Sequence, residues 1–522
     1  MREMKCLLRE TIFSLLAATL LLISLSVSGI AQGPPPGLQP LINIPIPNWA
    51  TTGQFAATFD VIFFDPQNGV VYIADRINDG ATAIDTKTFT VLGTSSPPGC
   101  GFQTLAPPPA AAASPNCRPS GVLVTPDTQK LVFTARGPVA TNPNAPPAGL
   151  WVYNLKSPNA GPVLIPTVSG PDLMDYDPLN HYIYAKTGMI VSVADLTTSK
   201  VVAQINIGLA IEQPRFNPVD GFIYLTVTDS GNNNAGAAVW KIDPNSNSVV
   251  AKYTTQPGCV PHDFQIDVVT NTALIACDGP GITMDLRNGT ILSSYSEAQN
   301  TDLIGWNPNL RRGYIAARSN TDTSSPCPED STKAYPLIGV VSNATTTGQF
   351  VTVWCSGRGT QAVADTINNN VYAPVIQYPV NPNSASTGQA GVLVFQDPGP
   401  LFTGIASPGA EDAQAHAVLS PVASSGVMGT VDITLRRRNL SVEASLAGLP
   451  HVVADTVLAI STSAGIEVVN CGVDGNGNGF CEGDLVGDPL IGGVVDVGSG
   501  GKFVASGPIT LTATILTFIP ID

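Results

Sequence analysis

From residue 40 onward the chain alternates short apolar strands with polar turns and shows no helical periodicity. One unit recurs: an apolar strand, a turn built on Asp-Pro or Asn-Pro, then a second strand rich in Tyr and β-branched residues. The copies are FDVIFFDPQNGVVYIAD, SGVLVTPDTQKLVFTAR, DLMDYDPLNHYIYAKT, EQPRFNPVDGFIYLTVT, HDFQIDVVTNTALIACD, DLIGWNPNLRRGYIAAR and QAVADTINNNVYAPV, starting near residues 59, 120, 172, 212, 262, 302 and 361. Most continue into a third strand, a polar turn and a fourth strand, as in TAIDTKTFTVLGT, VSVADLTTSKVVAQINI and VWKIDPNSNSVVAKYTT. Asp or Asn followed by Thr, Ser or Asn makes such turns because the side chain bonds its own backbone. Seven units of four strands predict an all-β chain with a seven-bladed β-propeller. The last unit stops after its third strand, GVLVFQDPGP. The strand-like PLINIPIPNW, residues 40–49, is expected to supply the missing outer strand, because ring closure removes exposed edges.

After Pro400 the register disappears. Residues 401–416 read as a linker, and 417–522 as a small antiparallel β-sandwich, from the period-two strands GVMGTVDITL, NLSVEASLAG, DTVLAISTSAGIEVVNC and GPITLTATILTFI.

Two stretches, VVYIADRINDGATAIDTKTFTVLGT and HYIYAKTGMIVSVADLTTSKVVA, carry a likeness to a known repeat. The pattern resembles the YVTN-type propeller family over about residues 40–400. The segment from GCVPHDFQID to GITMDLRNGTI is similar to a blade of such propellers with paired Cys on neighbouring strands. The resemblance implies the propeller of residues 32–400. It leaves the role open, because propellers of this kind serve in binding, in structure and in hydrolysis.

The front of the chain decides the compartment. Arg2, Lys5 and Arg9 precede the apolar run TIFSLLAATLLLISLSV and the small residues Gly29 and Ala31, the layout of a signal peptide cleaved after Ala31. The run is at the short limit for a membrane span, and no later stretch is long and apolar enough for one. The expected location is secreted, extracellular or at the cell surface, or periplasmic. A formal net charge of −15, with 12% charged residues, disfavours nucleic acid as a partner. Beyond Cys6 the Cys fall as Cys100/Cys117, Cys259/Cys277, Cys327/Cys355 and Cys471/Cys481. An even number in an exported chain implies disulfides, and neighbour pairing is the expected connectivity among many possible ones.

Candidate chemistry follows from the repeat register. Five residues before the turn position, at the start of each innermost strand, stand Asp60, Ser120, Asp172, Glu212, His262, Asp302 and Thr360. All are polar and four are acidic. They are expected to form a ring at the channel mouth, where a divalent cation, protonation or buried water would relieve the repulsion. Alternatively they merely line a water-filled channel. His262 beside carboxylates is a candidate base or ligand, with Glu212 the second catalytic candidate. In residue class the ring resembles calcium-dependent propeller lactonases. A further lactonase group related to YVTN proteins uses His, Glu and Arg; the candidates of those types here are His262, Glu212, Arg118 and Arg215, with no residue-by-residue match.

A second candidate lies in VDGNGNGFCEGD, residues 473–484. Asp474, Asn476 and Asn478 take positions 1, 3 and 5 of a Gly-rich loop, and the Phe480 carbonyl, Glu482, Asp484 and Asp488 supply further oxygens. Calcium takes six to eight such ligands. Position 12 is Leu485 where an EF-hand has Glu, so the loop is similar to dockerin or thrombospondin loops, with Cys471 and Cys481 bracketing a structural Ca2+. A solvated Asn/Gly turn is the plain alternative. The whole reads as a binding or scaffold protein for a protein, glycan or small-molecule ligand, or alternatively as a lactonase-like hydrolase acting at the channel mouth.

Overall fold

Each repeat turns on a buried side chain that caps its own backbone. Asp65, Asp177, Asn217, Asp267, Asn307 and Asp365 each accept a hydrogen bond from the amide two residues on, at 2.9–3.1 Å. All six are at most 3% exposed. The strands on either side of the turn are therefore forced antiparallel at the same place in six of the seven repeats, and in the second repeat the buried Thr125 hydroxyl accepts the Lys130 amide instead.

The computed structural model describes residues 38–49, 59–98, 100, 117–137, 146–228, 236–320, 335–342, 349–354, 361–375, 391–397, 404–405, 412–421, 425–436, 439–449, 456–462, 465–485, 490–491, 494–499, 502–508 and 510–515. The signal-peptide segment 1–31, Cys327, Cys355, Thr360 and Asp488 lie outside the described residues. Among the described residues no helix is long and apolar enough to cross a membrane.

Seven four-stranded antiparallel sheets form the propeller. Blade 1 is Phe59–Asp65, Val70–Asp75, Gly80–Asp85 and Thr90–Ser95; blade 2 is Val122–Val124, Lys130–Ala135, Gly149–Asn154 and Val163–Pro166. Blade 3 is Met174–Asp177, Tyr182–Thr187, Ile190–Asp195 and Lys200–Asn206; blade 4 is Ile211–Asn217, Phe222–Val227, Ala238–Asp243 and Ser248–Thr254. Blade 5 is Pro261–Asp267, Thr272–Cys277, Gly281–Asp285 and Ile291–Tyr295; blade 6 is Thr301–Asn307, Arg312–Asn320, Tyr335–Ser342 and Gln349–Trp354. Blade 7 takes Val363–Asp365, Asn370–Val375 and Gly391–Gln396 from its own repeat. Its outer strand is Gln39–Pro45, paired antiparallel with Gly391–Gln396.

First strands of neighbouring blades touch all the way round, blade 7 against blade 1 included, so they are the innermost. The core is a set of wedges between blades. In blade 1 Val71 and Ile73 pack toward blade 7, while Val70, Tyr72 and Ala74 pack toward blade 2. Both faces of a blade are buried, which explains why second strands such as Phe222–Val227 are apolar at every position but Thr226, whose hydroxyl is hydrogen-bonded. Side chains one register after the ring positions stitch the blades together. Gln361 of the last repeat accepts the Ile62 amide of blade 1 at 2.7 Å, and Asp263 accepts the Ile304 amide at 3.0 Å.

The C-terminal module departs from the expected sandwich. Strands Met428–Arg436, Asn439–Ala447, Gly479–Leu485, Gly465–Val473, Thr456–Thr462, Val494–Ser499, Lys502–Pro508 and Asp412–Pro421 follow one another in a single sheet. Asp412–Pro421 pairs with Met428–Arg436 as well as with Lys502–Pro508, closing an eight-stranded barrel. Thr510–Ile515 pairs with residues 412–416 on the edge that Lys502–Pro508 takes at Ser420 and Pro421. A sandwich and a barrel both bury alternate residues, so the period alone does not separate them. Inward residues such as Val431, Val442, Leu458 and Val497 make one core. The first barrel strand begins at Asp412, inside the stretch expected to be linker.

The barrel meets the propeller at the turn end of blade 5. A Cβ on Gly498 would stand 1.6 Å from the Val269 carbonyl oxygen, so only glycine admits this backbone approach. Nearby Asp496 is buried and accepts a hydrogen bond from the Ser506 hydroxyl at 2.6 Å. Burial pushes its carboxyl up to about 6, against the pull of Arg311.

Cys100–Cys117, Cys259–Cys277 and Cys471–Cys481 are disulfides. Three such bonds fit an oxidising, extracytoplasmic environment.

Candidate functional site: the propeller mouth

The ring positions start the innermost strands, at the end away from the buried turns. Six of the seven are described, and they face a common space. The Asp60 carboxyl feels Asp172 two blades away on one side and Asp302 two blades away on the other. His262 feels Glu212, Asp278 and Asp302.

The ring is not a bare circle of carboxylates. Arg76, just past the second strand of blade 1, pairs with Asp60 and donates to the Ser120 hydroxyl at 2.8 Å. Arg136, just past the second strand of blade 2, donates to the same hydroxyl at 3.1 Å and to Asp172 at 3.0 Å. Lys186 of blade 3 lies 3.3 Å from Asp172 and also pairs with Glu212. An unbroken polar chain thus runs through blades 1 to 4. The repulsion expected among Asp60, Asp172 and Glu212 is met by two guanidiniums and an ammonium. Beyond Glu212 the character changes. His262 Nε2 lies 2.9 Å from Asp278 Oδ1, and Asp302 follows in blade 6.

Burial and neighbours tune these groups apart. Burial would push Asp172 up, but Lys186 and Arg136 hold it down at about 2. Burial lifts Glu212, with Lys186 opposing. Burial would lower His262, but the bond and charge of Asp278, with Asp302 and Glu212, raise it. Burial pushes Asp60 up to about 7 against the pull of Arg76, with Asp172 and Asp302 adding.

The sign of the Asp60 shift gives a prediction. Its folded pKa lies above the unfolded value, so the stability it contributes is whole below about pH 4 and is lost as pH rises to about 7. Asp60→Asn removes that loss. Relative to the native chain, the variant is expected to gain on the order of 2–4 kcal/mol between pH 4 and pH 8. Urea unfolding across that range measures it, and parallel pH profiles for the two chains would refute it.

Sequence reasoning missed the second tier: Arg76, Arg136, Lys186 and Asp278. The signal was present in the same register. Arg76, Arg136, Asp278 and Arg318 all stand eleven residues after the turn position, with Lys186 two residues earlier in its repeat.

The two arginines singled out in sequence differ. Arg215 lies deeper, between blades 4 and 5, on Asp263 at 2.9 Å and on the Phe264 carbonyl at 3.0 Å. Arg118 is half-buried beside the mouth, where burial, Arg136 and Arg76 lower its pKa. Among the described residues, Asp79, Cys100 and Cys117 alone bring three His, Cys, Asp or Glu ligand atoms within 4.8 Å of one another. The disulfide engages both sulfurs, and Asp79 accepts the amides of Cys117 and Arg118.

In the C-terminal loop, Asp474 Oδ1 accepts the amides of Asn476 and Asn478 at 2.8 and 2.9 Å, and Oδ2 accepts the Asn478 side-chain amide at 3.0 Å. These bonds close a hairpin whose strands pair Cys471 with Cys481. Phe480, Glu482 and Asp484 are exposed along the strand that leaves the turn. At about 3.3 Å per residue Glu482 and Asp484 stand roughly 10 Å or more beyond it.

No protein-family model matches the chain, and no curated protein matches it. Solved structures similar to it include U3-55K, at 10% identity over 66% of this chain and 97% of that one, with a TM-score of 0.47. The RRP9 WD40 repeats align at 10% identity over 69% and 99%, TM-score 0.47. Kuenenia stuttgartiensis hydrazine synthase aligns at 13% identity over 64% and 99%, TM-score 0.46.

Proposed function

We propose that the protein is an extracytoplasmic binding protein whose propeller mouth holds a polar ligand. One observation carries the reading: Asp60, Arg76, Ser120, Arg136, Asp172, Lys186 and Glu212 are linked side chain to side chain across four blades at one end of the channel. Groups held this way need little reordering when a ligand arrives, which is what preorganised binding requires. The signal-peptide layout and the disulfides support the location. The repeat likeness to YVTN-type propellers fits the same use.

The test is thermal unfolding of the full chain with a panel of small acids, amines and polyols. A ligand that raises the midpoint of the native chain is expected to protect Glu212→Gln at least tenfold more weakly. Saturation at a hundred times Kd corresponds to about 2.7 kcal/mol. Equal protection of native and variant chains by every binding compound would sink the reading.

A second reading rests on the His262–Asp278 pair. A carboxylate on Nε2 fixes the imidazole and leaves Nδ1 as the base for water attacking a lactone or ester. His262→Gln should then abolish turnover with the unfolding midpoint unchanged. For the C-terminal hairpin our reading is a structural turn, in which any calcium bound by Asp474, Asn476 and Asn478 would take further ligands from water.

A further inference from the structure

Three guanidiniums converge on the segment Cys117–Ser120. Arg76 Nε donates to the Pro119 carbonyl at 3.2 Å, the Arg136 amide donates to the Cys117 carbonyl at 2.9 Å, and both side chains reach the Ser120 hydroxyl. The third is Arg118 itself. Arg76 has Asp60 and Arg136 has Asp172. Among the described residues the Arg118 guanidinium has no carboxylate partner, and its Nε is buried without a hydrogen bond. It nevertheless lies close enough to Arg136 and Arg76 to feel both charges.

The chain holds Arg118 there by force. Its backbone sits at φ 46°, a conformation that side-chain-bearing residues rarely take. Asp79 pins it, accepting the Arg118 amide at 2.8 Å and the Cys117 amide at 2.8 and 3.0 Å. Cys117 is tied to Cys100. A third positive group beside two others raises the energy of the empty site, and a bound anion lowers it.

We propose that Arg118, with Arg76 and Arg136 behind it, is the anchor for an oxyanion, the carboxylate or phosphate group of the ligand at the propeller mouth. The proposal rests on the binding reading above and adds the ligand's charge and the residue that grips it. A guanidinium presents paired donors in a plane, which suits either anion and gives it a fixed orientation. The nearby Asp60 and Asp172 carboxylates limit the net positive charge, so a monoanionic group fits better than a highly charged one.

The test is titration calorimetry on the full chain at low ionic strength, with inorganic phosphate in one arm and succinate in the other. Saturable binding is expected in at least one arm, and the tighter arm identifies the source of the oxyanion. Arg118→Gln is expected to weaken that binding at least tenfold, and Arg118→Lys less. Without anion, the unfolding midpoint of Arg118→Gln should stay the same or rise, because the repulsion from Arg76 and Arg136 is relieved. A purely structural arginine would give a lower midpoint. No saturable binding of either anion, or equal binding by the native chain and Arg118→Gln, overturns the proposal. If amines or polyols are then held at the mouth in a Glu212-dependent way, the binding reading stands and only the anion assignment falls.

Discussion

Trp49→Ala is expected to cost about 3–5 kcal/mol in urea unfolding, among the largest losses for one side chain in this fold. Trp49 follows the strand that closes the ring and is 1% exposed. Its indole stacks on Phe59 of blade 1 with centroids 5.0 Å apart, and its Nε1–H donates to Asp75 Oδ1 at 3.0 Å. Asp75 is fully buried, and its carboxylate also takes bonds from Ile77, Asn78 and Thr82. Removing the indole therefore opens a cavity at the closure and takes one donor from a buried anion. Trp49→Phe separates the two effects in part, since it keeps a six-membered aromatic ring and loses the N–H with a smaller volume; its cost should be about 1–3 kcal/mol. A loss below about 1 kcal/mol for Trp49→Ala would mean that the closing segment does not hold the ring.

The second large effect lies between blades 4 and 5. Asp263 is fully buried, held by Arg215 at 2.9 and 3.2 Å and by the amides of Phe264 and Ile304. Arg215→Met leaves that carboxylate without its counter-charge, which costs about 3–5 kcal/mol when a buried pair is broken from one side. Burial already raises the Asp263 pKa, with Arg215 opposing. Without Arg215 it rises further, so the loss should be larger at pH 8 than at pH 5. Arg215→Met combined with Asp263→Leu should recover part of the stability. A loss that is equal at both pH values would show that Asp263 is not the group left stranded.

What could be read from the chain alone follows the range of each interaction. The blades were legible because Asp65, Asp177 and their equivalents shape their turns from within two or three residues. The ring positions were legible for the same reason, being a fixed count from those turns. The cations that neutralise them were missed although they recur in the same register, because Arg76, Arg136 and Lys186 stand in or just past second strands and act across blade boundaries. Barrel closure was likewise hidden. It depends on Asp412–Pro421 having partners on both sides, and alternation says only that one face is buried. The loop at Asp474 shows a different limit. Oxygen-bearing residues at alternate positions serve a metal ion and a self-capped hairpin equally well, and the course of the next strand decides where Glu482 and Asp484 go.

The closure of blade 7 sets an order of events during synthesis. Gln39–Pro45 leaves the ribosome about 350 residues before its partner Gly391–Gln396. At roughly 5–20 residues per second it waits on the order of tens of seconds. A waiting β-strand invites the wrong neighbour. This one carries Pro40 and Pro45, which have no N–H to donate. The prolines leave the final pairing possible and make every earlier pairing poorer, so the strand that completes the ring is also the one least able to join it out of turn.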